Sequence, residues 1–297
     1  MSKTLEGIRH QIAGAKDLQS VVRTMKVLAA SNMVQYDKAF HALKDFYRTI
    51  ELGLSICLHN TSETVEKKQE PANPSILTGI VVFGSDQGLV GQFNDTLCDY
   101  VSNILTPNKN ELMIWAVGER IRDQLLDRNL PVIGTFTVPN SINTITAIVG
   151  RILLETQLIW RKNKKGQLFI FHNQPKVGIF YEPAWMKLLP LDDLWRQEFA
   201  QIEWPGRKIP EALNGIETTL HGLIRNYLFV SLFKICTESL VSENASRLAS
   251  MQRAEKNIEE LLNDLTHQYN QFRQSSIDEE LFDLISGSEA LINKKRQ

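Results

Sequence analysis

Residues 77–105 read LTGIVVFGSDQGLVGQFNDTLCDYVSNIL. The opening LTGIVVF is an apolar run of strand length, the pattern of a strand buried on both faces. GQFNDTLCDYVSNIL, which follows, has helical spacing. Between them lies a glycine-rich turn, Gly84–Asn94, in the position where many proteins hold a nucleotide's phosphates. Its glycines at 84, 88 and 91 are spaced four and three. A dinucleotide fingerprint needs two and three, and a P-loop needs GxxxxGK[ST]. No Lys or Arg lies within the turn, and Asp86 puts a negative charge where a phosphate would sit. The stretch is expected to be a tight strand-to-helix turn whose glycines permit positive φ, with no cofactor.

The same rhythm extends outward. ELMIWAV, LPVIGTFTV and QLFIFHN read as further strands, and GERIRDQLLDR and NSINTITAIVGRILLETQLIWRK as helices. Strand alternating with helix predicts a mostly parallel sheet covered on both faces. KVGIFYEPAWMKLLPL reads as a later edge strand, because Pro183 removes a ladder donor. All ten prolines fall between Pro71 and Pro210. The polar, proline-containing NTSETVEKKQEPANPS is expected to link this middle region to what precedes it.

Both ends keep a different period. Leu5, Ile8, Ile12, Ala15, Leu18, Val22, Met25, Ala29, Met33, Tyr36, Phe40, Leu43, Tyr47, Ile50 and Leu54 recur in steps of three and four. Such a seam describes one helix of about 75 Å, a length typical of coiled coils. From about Pro210 a second seam runs through Tyr227, Leu240, Met251, Leu265 and Phe272, with Gly287 as an expected stop. The two helices flank the middle region, so their pairing must be antiparallel. The expected organisation is an N-terminal coiled-coil helix over 1–58, a linker over 59–75, a Rossmann-like α/β domain over 76–205 and a C-terminal coiled-coil helix over 206–297. The longer last helix is expected to project beyond its partner.

Composition narrows the function classes. A formal net charge of −1 argues against a dedicated nucleic-acid binder. Cys57, Cys98 and Cys236 lie far apart without CxxC spacing, which argues against a disulfide framework or a zinc site. No HExxH is present, so no metal is expected. No apolar run approaches the ~20 residues that span a bilayer. The N-terminus lacks a signal peptide's apolar core, so a cytosolic, unprocessed chain is expected.

Three further features each have a plain and a sharper reading. His172 follows a strand, where α/β enzymes place catalytic groups, but shows no partner in the sequence and reads as a structural histidine. RKNKKG, Arg161–Gly166, is either a docking patch or a helix-end cap. MKVLAASNM and SENASRLASM are rich in small residues, which let helices approach closely. Within the second, Glu243 and Arg247 are four apart and share a helix face. Either they pair with each other or Arg247 reaches a partner's carboxylate.

The termini carry a resemblance. VRTMKVLAASNM (Val22–Met33) resembles the N-terminal signature of the gamma subunits of F-type rotary ATP synthases. SENASRLASMQRAEKN and YNQFRQSSIDEELFDLISGSEAL resemble the more specific C-terminal signature, through Glu243, Arg247, Met251, Asn257, Tyr269, Asn270, Arg273, Gln274, Ile277, Glu280, Leu281 and Gly287. Ser85, Asp86, Gly88, Leu89, Gly91 and Asn94 match a turn similar to one in that family. The resemblance runs end to end and is weakest between about Leu105 and Ile209.

What it implies is a non-catalytic rotor. The paired helices would form the central stalk inside a hexamer of alpha and beta subunits. The α/β domain would dock with the epsilon subunit on the c-ring, at the cytoplasmic face of a prokaryotic membrane. By position, Glu243, Arg247 and Gln274 match residues that meet a beta-subunit loop, and Met25 matches a shaft residue facing a beta subunit. Arg23 and Lys26 share that basic stretch. The pattern departs at Asn32, where lysine is usual, at Gln87, where arginine is usual, and at Asp278, where threonine is usual. The alternatives are a non-rotary coiled-coil adaptor and a nucleotide-binding α/β enzyme.

Overall fold

The computed structural model describes residues 4–61, 77–105, 112–162, 166–176, 179–208, 210–213 and 215–294. The linker expected over 59–75 lies mostly outside these residues, as do residues 163–165 of RKNKKG. By contacts the chain divides into two compact units. One comprises Met1–Leu28 with Leu248–Gln297, the other Ala29–Arg247.

The Ala29–Arg247 unit is built on a five-stranded sheet of order β3-β2-β1-β4-β5. Its strands are β1 (Thr78–Phe83), β2 (Leu112–Val117), β3 (Val132–Phe136), β4 (Gln167–Lys176) and β5 (Ile179–Leu189). The first four pair in parallel, and β5 pairs antiparallel to β4 at the edge, as Pro183 suggests. All six residues of β1 are buried, which explains why it reads as an unbroken apolar run. Ile80 and Val82 point to one face, where α2 (Phe93–Leu105) and α3 (Glu119–Asp127) supply Leu97, Val101, Ile121 and Leu125. Val81 and Phe83 point to the other, against Ile145, Val149 and Ile152 of α4 (Ile142–Lys162).

The second face is completed from the chain's last helix, α6 (Ile216–Lys294), through Leu232, Ile235, Cys236 and Leu240. Each such side chain contributes ~1.5–3 kcal/mol when fully buried. This stretch of α6 is therefore part of the sheet's core. Burial in that core pushes the Cys236 thiol pKa up. The first helix, α1 (Leu5–Thr61), joins with Tyr36. A further short helix, α5 (Asp193–Ala200), is absent from the sequence expectation. Asp192 caps it by accepting from the Trp195 N–H at 3.0 Å, and Phe199 packs with Ile50, Leu54 and Tyr227.

The terminal helices run antiparallel within each unit. In the first, Ile8 and Ile12 cluster with Leu262, Leu265 and Tyr269, whereas Arg23 and Lys26 meet Glu255. In the second, Tyr47 packs on Tyr227, and a Cβ added at Gly53 would lie 3.0 Å from Leu223. The helices count 57 and 79 residues. Gly287 does not stop α6, which continues to Lys294. A single glycine costs a helix only ~1 kcal/mol, too little to end one this long. The first seam also has an exception: Leu18 is 59% exposed.

Candidate functional site

The Gly84–Asn94 turn is filled from within the protein. Asn94 Oδ1 accepts the Ser85 N–H at 3.0 Å, and Asn94 Nδ2 donates to Ser85 Oγ at 2.8 Å. Asp86 Oδ1 accepts the Glu119 N–H at the start of α3 at 3.0 Å, and Oδ2 accepts the Val138 N–H at 2.9 Å. A helix N-terminus is where a phosphate would bind, and here a side-chain carboxylate takes the place. The glycines serve two needs rather than one. Gly91 has φ 60°, but Gly84 is required by space, because a Cβ there would lie 2.3 Å from Ile121 Cβ. Gly88 has open space, and Leu89, not a glycine, takes φ 63°.

In a doubly wound sheet, ligands enter at the strand C-termini where the order reverses, here between β1 and β4. Helix α6 occupies that ground. Ser246 Oγ donates to Val90 O at 2.5 Å, and Ser239 Oγ reaches Phe83 O at 3.4 Å. His172, 4% exposed, meets Glu238 Oε2 through Nε2 at 3.0 Å, so it does have a partner, 66 residues away. Asn173 donates from Nδ2 to Phe93 O at 2.9 Å. The small residues of SENASRLASM thus admit the turn to close range. Among the described residues, no group of three or more His, Cys, Asp or Glu is placed to hold a metal.

The proposed contact residues fall into three groups. Glu243 and Arg247 pair with each other: Arg247 Nη2 donates to Glu243 Oε1 at 2.7 Å, with side chains 6% and 13% exposed. Burial pushes the Glu243 pKa up, and Arg247 opposes this without cancelling it. The Arg247 Nε is buried and makes no hydrogen bond among the described residues. In the other unit, Arg23 Nε and Lys26 Nζ hold the two oxygens of Glu255 at 2.9 and 2.5 Å. The hydrogen bond from Lys26, then that from Arg23, hold the Glu255 carboxyl below its usual pKa. Met25 is half-buried, and Gln274 and Asp278 are exposed on α6.

Two apolar surfaces add to these. Leu18, Val21 and Leu28 are exposed on α1 at helical spacing. Periodicity alone puts Leu18 in the seam, yet it is exposed. On α6, Phe272, Ile277, Leu281, Phe282, Leu284 and Ile285 are exposed, Phe282 to 75%. Large exposed apolar surface of this kind marks an interaction site. Glu255 itself carries no signal in the sequence, because its two partners lie 229 and 232 residues away.

A family model described as ATP synthase matches residues 4–291. The chain is 25% identical over 298 residues to the ATP synthase gamma chain of Anaeromyxobacter dehalogenans (strain 2CP-C), covering 97% of this chain and 99% of the relative. It is also 25% identical over 294 residues to that of Brevibacillus brevis, covering 98% and 99%. Among solved structures, a chain of the Euglena gracilis mitochondrial ATP synthase, OSCP/F1/c-ring in rotational state 3, superposes with TM-score 0.65 at 16% identity, covering 99% of this chain and 96% of that one. A chain from the Tetrahymena thermophila mitochondrial ATP synthase central stalk and c-ring gives 0.57 at 24% identity, covering 79% and 99%. The structural likenesses are of fold.

Proposed function

The chain belongs to the ATP synthase family, and from that membership we propose that it is the gamma subunit, the central-stalk rotor. It transmits torque between an ion-driven c-ring and a catalytic hexamer of alpha and beta subunits, and itself carries no catalytic site. The observation that carries this reading is the exposed apolar run of α6 from Phe272 to Ile285, a surface suited to a surrounding sleeve of other subunits. The near-full-length match to gamma chains supports it. So does the filling of the β1/β4 crevice by α6, the ground where a doubly wound sheet takes its ligand.

In this reading the asymmetric helix pair turns inside the hexamer. Each catalytic beta subunit is then biased through a sequence of conformations that bind nucleotide differently. Arg23, Met25, Lys26, Glu243, Arg247, Gln274 and Asp278 are the proposed partner contacts. Gln274 and Asp278 reach out directly. Arg23 and Lys26 present cations to acidic loops while sharing Glu255. The α/β domain docks with the epsilon subunit and the c-ring, with one copy per complex. No helix among the described residues is long and apolar enough to cross a membrane. We infer from the bacterial gamma-chain relatives that the complex sits at the cytoplasmic face of a prokaryotic membrane, which this chain reaches through partners.

The test is recovery of the tagged chain from gently solubilised membranes of its host, with subunits counted by mass spectrometry. One tagged chain per three beta subunits, with alpha, epsilon and c subunits present, is expected. Recovery alone or with unrelated proteins would overturn the assignment.

A further inference from the structure

Within the Ala29–Arg247 unit, a groove of about 350 Å³ opens between α1 and α6. Its volume lies in the range of small-molecule sites. Phe40, Leu43, Tyr47, Val230 and Phe233 give it an apolar bed. Phe233 and Val230 also belong to the packed clusters beneath, so the floor is fixed by the core. Thr237, at the same groove, turns its hydroxyl inward to the carbonyls of Phe233 and Lys234 and offers the groove no donor.

The charged groups at the groove are of one sign. Lys44 and Lys234 come from opposite helices, and His41 stands beside them. Lys44 makes no ion pair among the described residues. Lys234 lies 3.9 Å from Glu238, too long for a hydrogen bond, and His41 Nε2 lies 3.7 Å from Asp37. No carboxylate lines the groove itself.

We propose that this groove binds a single-chain amphipathic acid, with its anionic head between Lys44 and Lys234 and its alkyl chain on Phe40, Tyr47 and Phe233. An uncharged apolar ligand would leave two ammonium groups unused, and a compact anion would leave the bed empty. Only a molecule with both parts matches the lining. The proposal stands on this unit alone and does not depend on the rotor assignment.

The test is calorimetric titration of the full chain with octanoate, decanoate and dodecanoate below their micellar concentrations, and with dodecan-1-ol. One saturable site is expected, tightening about fourfold per added methylene until the chain outgrows the groove. Lys44→Glu and Lys234→Glu, both at solvent-exposed positions, are each expected to weaken dodecanoate at least tenfold and leave dodecan-1-ol unchanged. Unchanged dodecanoate affinity in both variants would place the ligand on the exposed apolar run of α6 and overturn the proposal. So would absence of saturable binding. If Lys44 were then protected from amine labelling only in the assembled complex, the groove would belong to a partner subunit.

Discussion

Arg247 Nη2 lies 2.7 Å from Glu243 Oε1, one helical turn earlier in α6, and the pair is withdrawn from solvent. Glu243 nevertheless keeps a raised pKa, because burial outweighs the attraction of Arg247 and nearby Asp86 adds repulsion. Breaking such a pair from one side costs ~3–5 kcal/mol, since the remaining charge is buried alone. Arg247→Ala is therefore expected to lower unfolding free energy by about 3 kcal/mol at pH 8 in urea titrations. The loss should shrink toward pH 5. A carboxyl whose folded pKa is raised holds its proton in the native state after the unfolded chain has released it. Stability thus falls as pH rises above the ordinary value near 4.5. A loss that grew toward acid pH would contradict this account.

Asp86 serves two backbone donors with its two oxygens, those of Glu119 and Val138. Asp86→Ala removes both acceptors; water takes over the exposed Glu119 N–H, so the expected cost, mainly from the part-buried Val138 N–H, is ~1–3 kcal/mol by denaturant midpoint. Asp86→Asn keeps one acceptor oxygen and should lose about half as much. Equal losses would mean that the carboxylate's charge, not its two bonds, holds the turn.

Gly84→Ala drives a methyl into Ile121 at the base of α3. Overpacking of this kind costs ~1–3 kcal/mol. Since the cause is contact and not backbone conformation, Gly84→Ala combined with Ile121→Gly, which removes the Cβ that the new methyl meets, should be less destabilised than the two single losses added together. Strict additivity in a double-mutant cycle would exclude the contact as cause.

Glu255 bridges the helices of its unit from a solvent-accessible position. Its lowered pKa gives a contribution present above the ordinary carboxylate value and lost as pH falls through the folded value. Glu255→Gln should reduce the acid sensitivity of amide protection around residues 23–26, and high salt should mimic it in the unaltered chain.

Phe282→Ser with Leu284→Ser removes two of the most exposed apolar side chains of α6. The pair is expected to reduce self-association of the isolated chain in sedimentation velocity with little change in unfolding free energy. The same change should weaken recovery of the assembled complex.

What the sequence disclosed follows from how local each signal was. Ile80–Val82 announce a strand because both faces are covered, and Pro183 marks the edge because a proline cannot donate to a ladder. Helix α5 carries little signal in the sequence, because eight residues with Trp195 and Phe199 as their large apolar pair are too short for a period to show. Leu18 shares the seam's spacing yet is exposed, because spacing names a face of a helix without saying what lies opposite at that height. His172 and Glu238, or Gly84 and Ile121, meet only through tertiary structure, so neither could be paired in advance. Glu243 and Arg247, four apart on one helix, could be.

The stretch of α6 lodged over β1 and β4 can be regarded as a resident ligand tethered by the chain itself. A tethered occupant acts at an effective concentration in the millimolar range or above, without depending on supply. A metabolite seeking the same ground would have to evict part of the hydrophobic core as well as outbid that concentration. The crevice between β1 and β4 is thereby closed to the small molecules that folds of its kind ordinarily admit there. A sheet in this condition serves as a rigid mount for the helix seated in it.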